Sequence, residues 1–307
     1  MTTTLSIDEL QTARGRRARA SAARWVFLSA AAVTVLVSLL IIWTIASEAW
    51  SFASEVARDQ LFAIGWYPRR GLFDLSTLLV NSAQISAVAM IVAIPSGLGA
   101  AIYLAEYAQP RVRRVMKPTL ELLASVPSVV LGVFAISFIT PSLLSNFFDD
   151  INFFNKLAAG IAVGLLVIPL IASISEDALR AVPNSLREAS SGLGARKVTT
   201  TIRVVLPAAL SGLMAAAIVG FSRAIGETMV VTIASGGGDT SLFNTSLFES
   251  GGTITSAMAS LGLGTDQVAG NDLAFQSLYF LGALLFLITL GLNLIGNAIV
   301  NRLREKY

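Results

Sequence analysis

Six separate runs of mainly apolar residues dominate this chain, each about 20 residues or longer, enough to cross a hydrocarbon layer as a helix. They cover about Trp25–Ala46, Thr77–Leu104, Thr119–Ile139, Leu157–Ile174, Ala208–Ile233 and Leu278–Val300. A chain in lipid must satisfy its backbone N–H and C=O groups internally, which leaves helices or closed barrels. Barrel strands are short and alternate in polarity, so runs of this length predict an all-α polytopic membrane protein with six transmembrane helices. Composition agrees: 54% of the 307 residues are hydrophobic and 13% are charged, about half the charge of a soluble domain.

Lys and Arg set the orientation. Of 22 such residues, seventeen fall in the tail 1–24, the loop 105–118, the segment 175–207 and the tail 302–307. Arg58, Arg69, Arg70 and Lys156 fall on the other side, and Arg223 falls within a run. Both termini are therefore expected in the cytoplasm. The first run is longer than the 7–15 apolar residues of a signal peptide and is read as a retained helix. The basic tail before it is read as a topology signal and lipid-surface contact, not a nucleic-acid arm. The organisation expected is a tail at 1–24, a first helix at 25–46, an outer loop at 47–76, a transmembrane domain at 77–301 and a tail at 302–307. The longest outer loop, 234–277, is Gly-rich, and its stretch "TITSAMASLGL" predicts a short surface helix.

Chemistry is narrowed by absence. With no Cys and no His, thiol chemistry, Cys- or His-ligated metal sites and a Ser-His-Asp triad are excluded. A phosphate loop needs Gly-Lys followed by Ser or Thr, and none of Lys117, Lys156, Lys197 and Lys306 follows a Gly. "GLGARKVT" is therefore not a nucleotide loop, and any ATP is handled by another polypeptide.

The fifth run carries "FSRAIGETMV", in which Arg223 and Glu227 lie four residues apart near its middle. Charge there is costly, and an i,i+4 spacing lets the two pair. Two readings fit: a self-neutralising structural pair, or an Arg223 held by Glu227 and turned toward a pathway, with Ser222 and Thr228 beside it. Ser125 and Ser128 flank Pro127 in the third run, where their hydroxyls can satisfy freed backbone groups or meet an anion. Pro95, Gly97 and Gly99 in the second run predict a kink and a close-packing site.

The inner segment 175–207 holds "REASSGLGARKVTTTIRVVLP". Glu188, Ala189, Gly194, Leu206 and Pro207 fit the spacing of the EAA motif, and the segment resembles the coupling loop of ABC importer permeases. Ser190 and Val204 depart from the pattern conservatively. The residues themselves predict a short helix after Pro183 with small residues open to a partner, leading through Pro207 into the fifth run. "GWYPRRGLFDLSTLLVNSAQISAVAMIVAIPSGLGAAIYLAEYA", "KPTLELLASVPSVVLGVF" and "SRAIGETMVV" look like the permease subunits of the bacterial phosphate importer, closer to the PstC type than the PstA type. The resemblance implies a type I ABC importer architecture in the bacterial inner membrane. It implies four kinds of partner: a PstA-type permease, an ATPase dimer that uses ATP and Mg, an extracytoplasmic phosphate-binding protein, and the bilayer. No cofactor on this chain is implied. The alternatives are a like permease for sulfate, molybdate or phosphonate, or a secondary transporter or channel.

Overall fold

The computed structural model describes residues 7–57, 59–237, 243–263 and 272–303. Parts of both expected tails and of the outer loop, with Arg58, Gly238, Gly264, Gly270, Arg304 and Lys306, lie outside the described residues. Most of the described residues are helical. α1 spans Ile7–Glu55, and an 18-residue stretch within its part from Ala20 has a mean hydropathy of 2.6. It runs past the expected end at Ala46 because Phe52 is buried at its outer end, edge-on to Phe73 at 4.8 Å. A hairpin unforeseen in the sequence follows, β1 (Phe62–Tyr67) paired antiparallel with β2 (Leu72–Asp74). Asp74 then caps α2 (Leu75–Ile102), accepting from Thr77 N at 3.0 Å and Thr77 Oγ1 at 2.6 Å.

α2 continues through Pro95 and widens into a π-helical turn at Tyr103–Tyr107. The third apolar run is divided, not the single span expected from Thr119. α3 (Pro110–Ala124) is amphipathic and buries no residue, and α4 begins only at Ser128, running to Phe134 and on as π-helix through Leu143. Pro127 causes the division: it cannot donate, and it turns the preceding residue out of the helical region. Arg111, Arg113, Arg114 and Lys117 hold α3 at the aqueous boundary.

α5 (Lys156–Ala181) is the most buried span. After α6 (Asn184–Gly192) the chain forms α7 (Lys197–Thr200), a π-helical stretch Thr201–Val205, α8 (Leu206–Ala208) and α9 (Leu210–Ile225). Lys197–Ala208 meets Leu210–Ile225 at 70°. α10 is Met229–Ala234, α11 Ile254–Gly262 and α12 Asp272–Leu303. With the bent pair counted as one, six spans are present among the described residues.

α2 makes its most extensive contact with α5. Small residues set that approach: a Cβ on Gly160 would sit 2.6 Å from Val88, and one on Gly97 would sit 2.9 Å from Ile171. Gly99 has open space instead and is no packing site within this chain. Around this pair α4, α9 and α10 close the central apolar cluster, which includes Ile85, Ala89, Val163, Val167 and Val231. A second cluster joins the outer end of α1 and the hairpin to α11 and α12 through Phe52, Trp66, Phe73, Ile254 and Leu281. α11 is thus a helix, as the sequence indicates, but a buried one. Thr253 caps it, and Ile254, Thr255, Ser256 and Ala257 are enclosed.

Candidate functional site

α9 stops at Ile225, and α10 starts only at Met229. Arg223 is in the last turn of α9, while Glu227 lies in the break beyond it. Arg223 Nη2 stands 3.5 Å from Glu227 Oε2, so the pairing expected from the spacing is present, across a helix end and not along an unbroken helix. The two members differ sharply in exposure, 57% for the Arg223 side chain against 5% for Glu227. Thr255 on α11 donates to the Glu227 carbonyl at 2.8 Å and fixes the break from behind. Ser222 Oγ is buried with no partner among the described residues. Thr228 is half-buried, its hydroxyl 3.4 Å from the Gly226 carbonyl.

Ser125 and Ser128 mark the other helix break. Ser125 is exposed and donates to the Leu122 carbonyl at 2.6 Å, closing the end of α3, and Ser128 opens α4. They therefore flank a boundary and do not sit in the middle of a span. α4 and α10 pack together, with Gly132 against Ile233.

At the inner face, α6 ends in a turn that requires Gly194. Its φ is +78°, a left-handed conformation costly for other residues, and its N–H bonds the Ser191 carbonyl at 2.9 Å. A Cβ there would meet nothing, so backbone shape and not crowding demands the glycine. Glu188, Ala189 and Gly192 are exposed, and Leu193 projects outward at 90% exposure. Leu206 lies against the inner cluster of Ala101, Leu179, Val182, Val205 and Ala209, while Pro207 is exposed just before the 70° corner.

Three further groups were not singled out from sequence. Glu176 on α5 is fully buried and ion-paired to Arg113, to Lys117 at 2.8 Å and to Arg180 at 3.8 Å. The Glu176 hydrogen bond raises the Lys117 pKa above its ordinary value. Arg187 on α6 pairs with Glu106 at 2.8 Å. Lys156, expected in an outer loop, is instead the first residue of α5 and fully buried. It donates to Asn81 Oδ1 and the Asn244 carbonyl, each at 3.0 Å. The segment 243–253 folds over it, and this cover is a long-range contact that local pattern does not report. The one available signal was an i,i+4 relation between Glu176 and Arg180 at the end of an apolar run.

Comparison with known proteins fits this geometry. The family model for the binding-protein-dependent transport system inner membrane component matches residues 97–307. The phosphate transport system permease protein PstC of Mesorhizobium japonicum is 32% identical over 279 residues, which cover 85% of this chain and 84% of that protein. Phosphate transport system permease protein PstA 1 of Mycobacterium tuberculosis is 30% identical over 221 residues, 72% of this chain and 70% of its own length. A crystal structure of a bacterial ABC transporter involved in the import of the acidic polysaccharide alginate overlays with a TM-score of 0.65 at 15% identity. It covers 94% of this chain and 100% of that one, and at such low identity it speaks for the fold alone, that of a type I importer permease. Since the matched region takes in both helix breaks and the inner corner, the chain belongs to the family of binding-protein-dependent transport system inner membrane components, as a multi-pass permease of the inner membrane.

Proposed function

We propose that this chain is one permease subunit of an ATP-driven importer that carries inorganic phosphate into the cytoplasm. Its partners on this reading are a PstA-type permease, an ATPase dimer that binds ATP and Mg, and an extracytoplasmic phosphate-binding protein. The observation that carries the reading is the asymmetry of the Arg223–Glu227 pair. A guanidinium more than half exposed on a membrane span does not face lipid, because charge there is too costly. It faces a partner surface or a water-filled path, and in a two-permease importer those coincide at the subunit boundary.

The mechanism follows from what each group can hold. Glu227, anchored behind the break, keeps Arg223 oriented at 3.5 Å, a loose pairing that leaves guanidinium N–H groups free. A phosphate oxygen can take a forked contact there. The Glu227 charge weakens that contact, so the anion is held briefly and released. Selectivity then rests mainly with the receptor. Ser222, whose hydroxyl has no partner among the described residues, and Thr228 are the hydroxyls nearest this pair in sequence, and Ser125 and Ser128 line the second break. ATP-driven motion enters through α6, where exposed Glu188, Ala189 and Leu193 meet the ATPase. Gly194, Leu206 and Pro207 shape the turn and corner that lead into α9.

Uptake of labelled phosphate, sulfate, molybdate and phosphonate in cells that depend on this chain tests the reading. Phosphate uptake that the other anions do not match is expected. Normal phosphate uptake with Arg223→Gln in a fully assembled complex refutes the pathway role, and loss of assembly assigns the pair a structural one.

A further inference from the structure

We propose that Arg187 is the positioning residue that ties α6 to the inner ends of both α5 and α2, so that displacement of α6 is delivered to the two most closely packed spans. The inference rests on the reading of α6 as the ATPase-docking element. α6 buries no residue of its own, so apolar contact alone does not hold it rigidly. Arg187 supplies the missing hold. Its Nη1 donates to the Val182 carbonyl at 2.6 Å, and its Nη2 to the Leu179 carbonyl at 2.8 Å. These carbonyls belong to the end of α5, where no further helical N–H is available to them. The same guanidinium reaches across to Glu106 Oε1, from Nε at 3.2 Å and Nη2 at 2.8 Å.

Glu106 lies in the π-helical turn that ends α2, and its side chain is nearly enclosed. One planar group therefore bonds the final turn of one span and the widened turn of another, from its place on the helix between membrane and cytoplasm. Widened turns of this kind recur at functional sites. A lysine cannot reproduce the arrangement, because its single ammonium lacks the fixed fork. A side-chain tie from α6 to the next segment, Ser190 with Thr200 at 2.9 Å, leads to the α7 corner and not to α2.

The test uses the purified complex of both permeases and the ATPase, with Arg187→Gln, Arg187→Lys, Glu106→Gln and Leu193→Glu in this chain. Four quantities are read: retention of the ATPase, basal hydrolysis, hydrolysis stimulated by phosphate-loaded receptor, and phosphate uptake per ATP. Arg187→Gln and Arg187→Lys are expected to keep the ATPase and basal hydrolysis, with receptor-stimulated hydrolysis and uptake each lower by about tenfold, the scale of losing charge-assisted hydrogen bonds. Glu106→Gln moves the same way by less. Unchanged stimulation in both Arg187 variants overturns the proposal, as does loss of the ATPase from them, which makes Arg187 part of the docking surface or of folding. Leu193→Glu separates the two readings: retention of the ATPase there removes the docking role of α6 whatever the Arg187 variants do.

Discussion

Replacing Glu227 with Gln keeps shape and removes charge, and the consequence is calculable. At 3.5 Å the pair's Coulomb term is roughly 5 kcal/mol at an effective dielectric near 20, an upper bound. Arg223 is 57% exposed, and solvent screening brings the net interaction to about 1 kcal/mol. That energy is what Glu227 withholds from an anion approaching Arg223. Without it, phosphate should bind the permease pair about fivefold more tightly. Release should slow by a similar factor, so turnover falls while affinity rises. Equilibrium binding of labelled phosphate to the receptor-free permease pair gives the affinity, and uptake at saturating receptor gives the turnover. Glu227→Asp should lie near wild type, and Arg223→Gln should lose both binding and uptake. Weaker binding in Glu227→Gln, or unchanged binding and turnover together, refutes the reasoning. Either result means that the carboxylate does not moderate an anion site.

Three other perturbations follow from buried contacts. Lys156→Met leaves Asn81 and Asn244 without their donor, which should cost about 2–3 kcal/mol and speed hydrogen exchange in residues 243–253, read by mass spectrometry. Glu176→Gln leaves Arg113 without its carboxylate and Lys117 with Asp177 alone, and should cost about 2 kcal/mol in thermal unfolding, less than a fully buried pair because both cations are partly exposed. The Lys117 pKa is raised above 10.5, so its stabilising contribution is complete below that value and is lost only as pH rises through the raised one. Unfolding should therefore be insensitive to this group near neutral pH and should become easier only on the alkaline side. Gly194→Val forces a branched side chain into φ +78° and should cost about 1–2 kcal/mol at the α6 turn, read as reduced ATPase co-purification with the membrane spans intact.

Much of this protein was legible from local pattern. Six apolar runs, the bias of Lys and Arg, the missing Cys and His, and the spacing from Glu188 to Pro207 depend on residues near one another in the chain. Hydrophobic transfer and the charge rule act on such segments one at a time, so they can be read without knowing the neighbours. Even the Arg223–Glu227 pair is a short-range relation, and it survived the break that the structure inserts at Gly226. The division of the third run at Pro127 was partly visible, since the proline and the charged residues before it are both in the sequence, but an apolar average runs straight through it.

The remainder was decided by contacts between distant segments. Lys156 reads as an outer-loop charge until residues 243–253 fold over it and supply two acceptors on Asn244, beside a third on Asn81 of α2. The stretch at 254–262 reads as a surface helix until α2, α10 and α12 enclose it. Glu176 and Arg187 look like ordinary members of a charged inner segment, and only tertiary structure brings Arg113 and Lys117 to the one and Glu106 to the other. The physical reason is the same in each case. The sequence determined which segments enter the membrane and which way they run, because burial of apolar residues and retention of positive charge are properties of each segment alone. Which polar groups are satisfied, and by whom, depends on how those segments pack, and only the folded structure decides it.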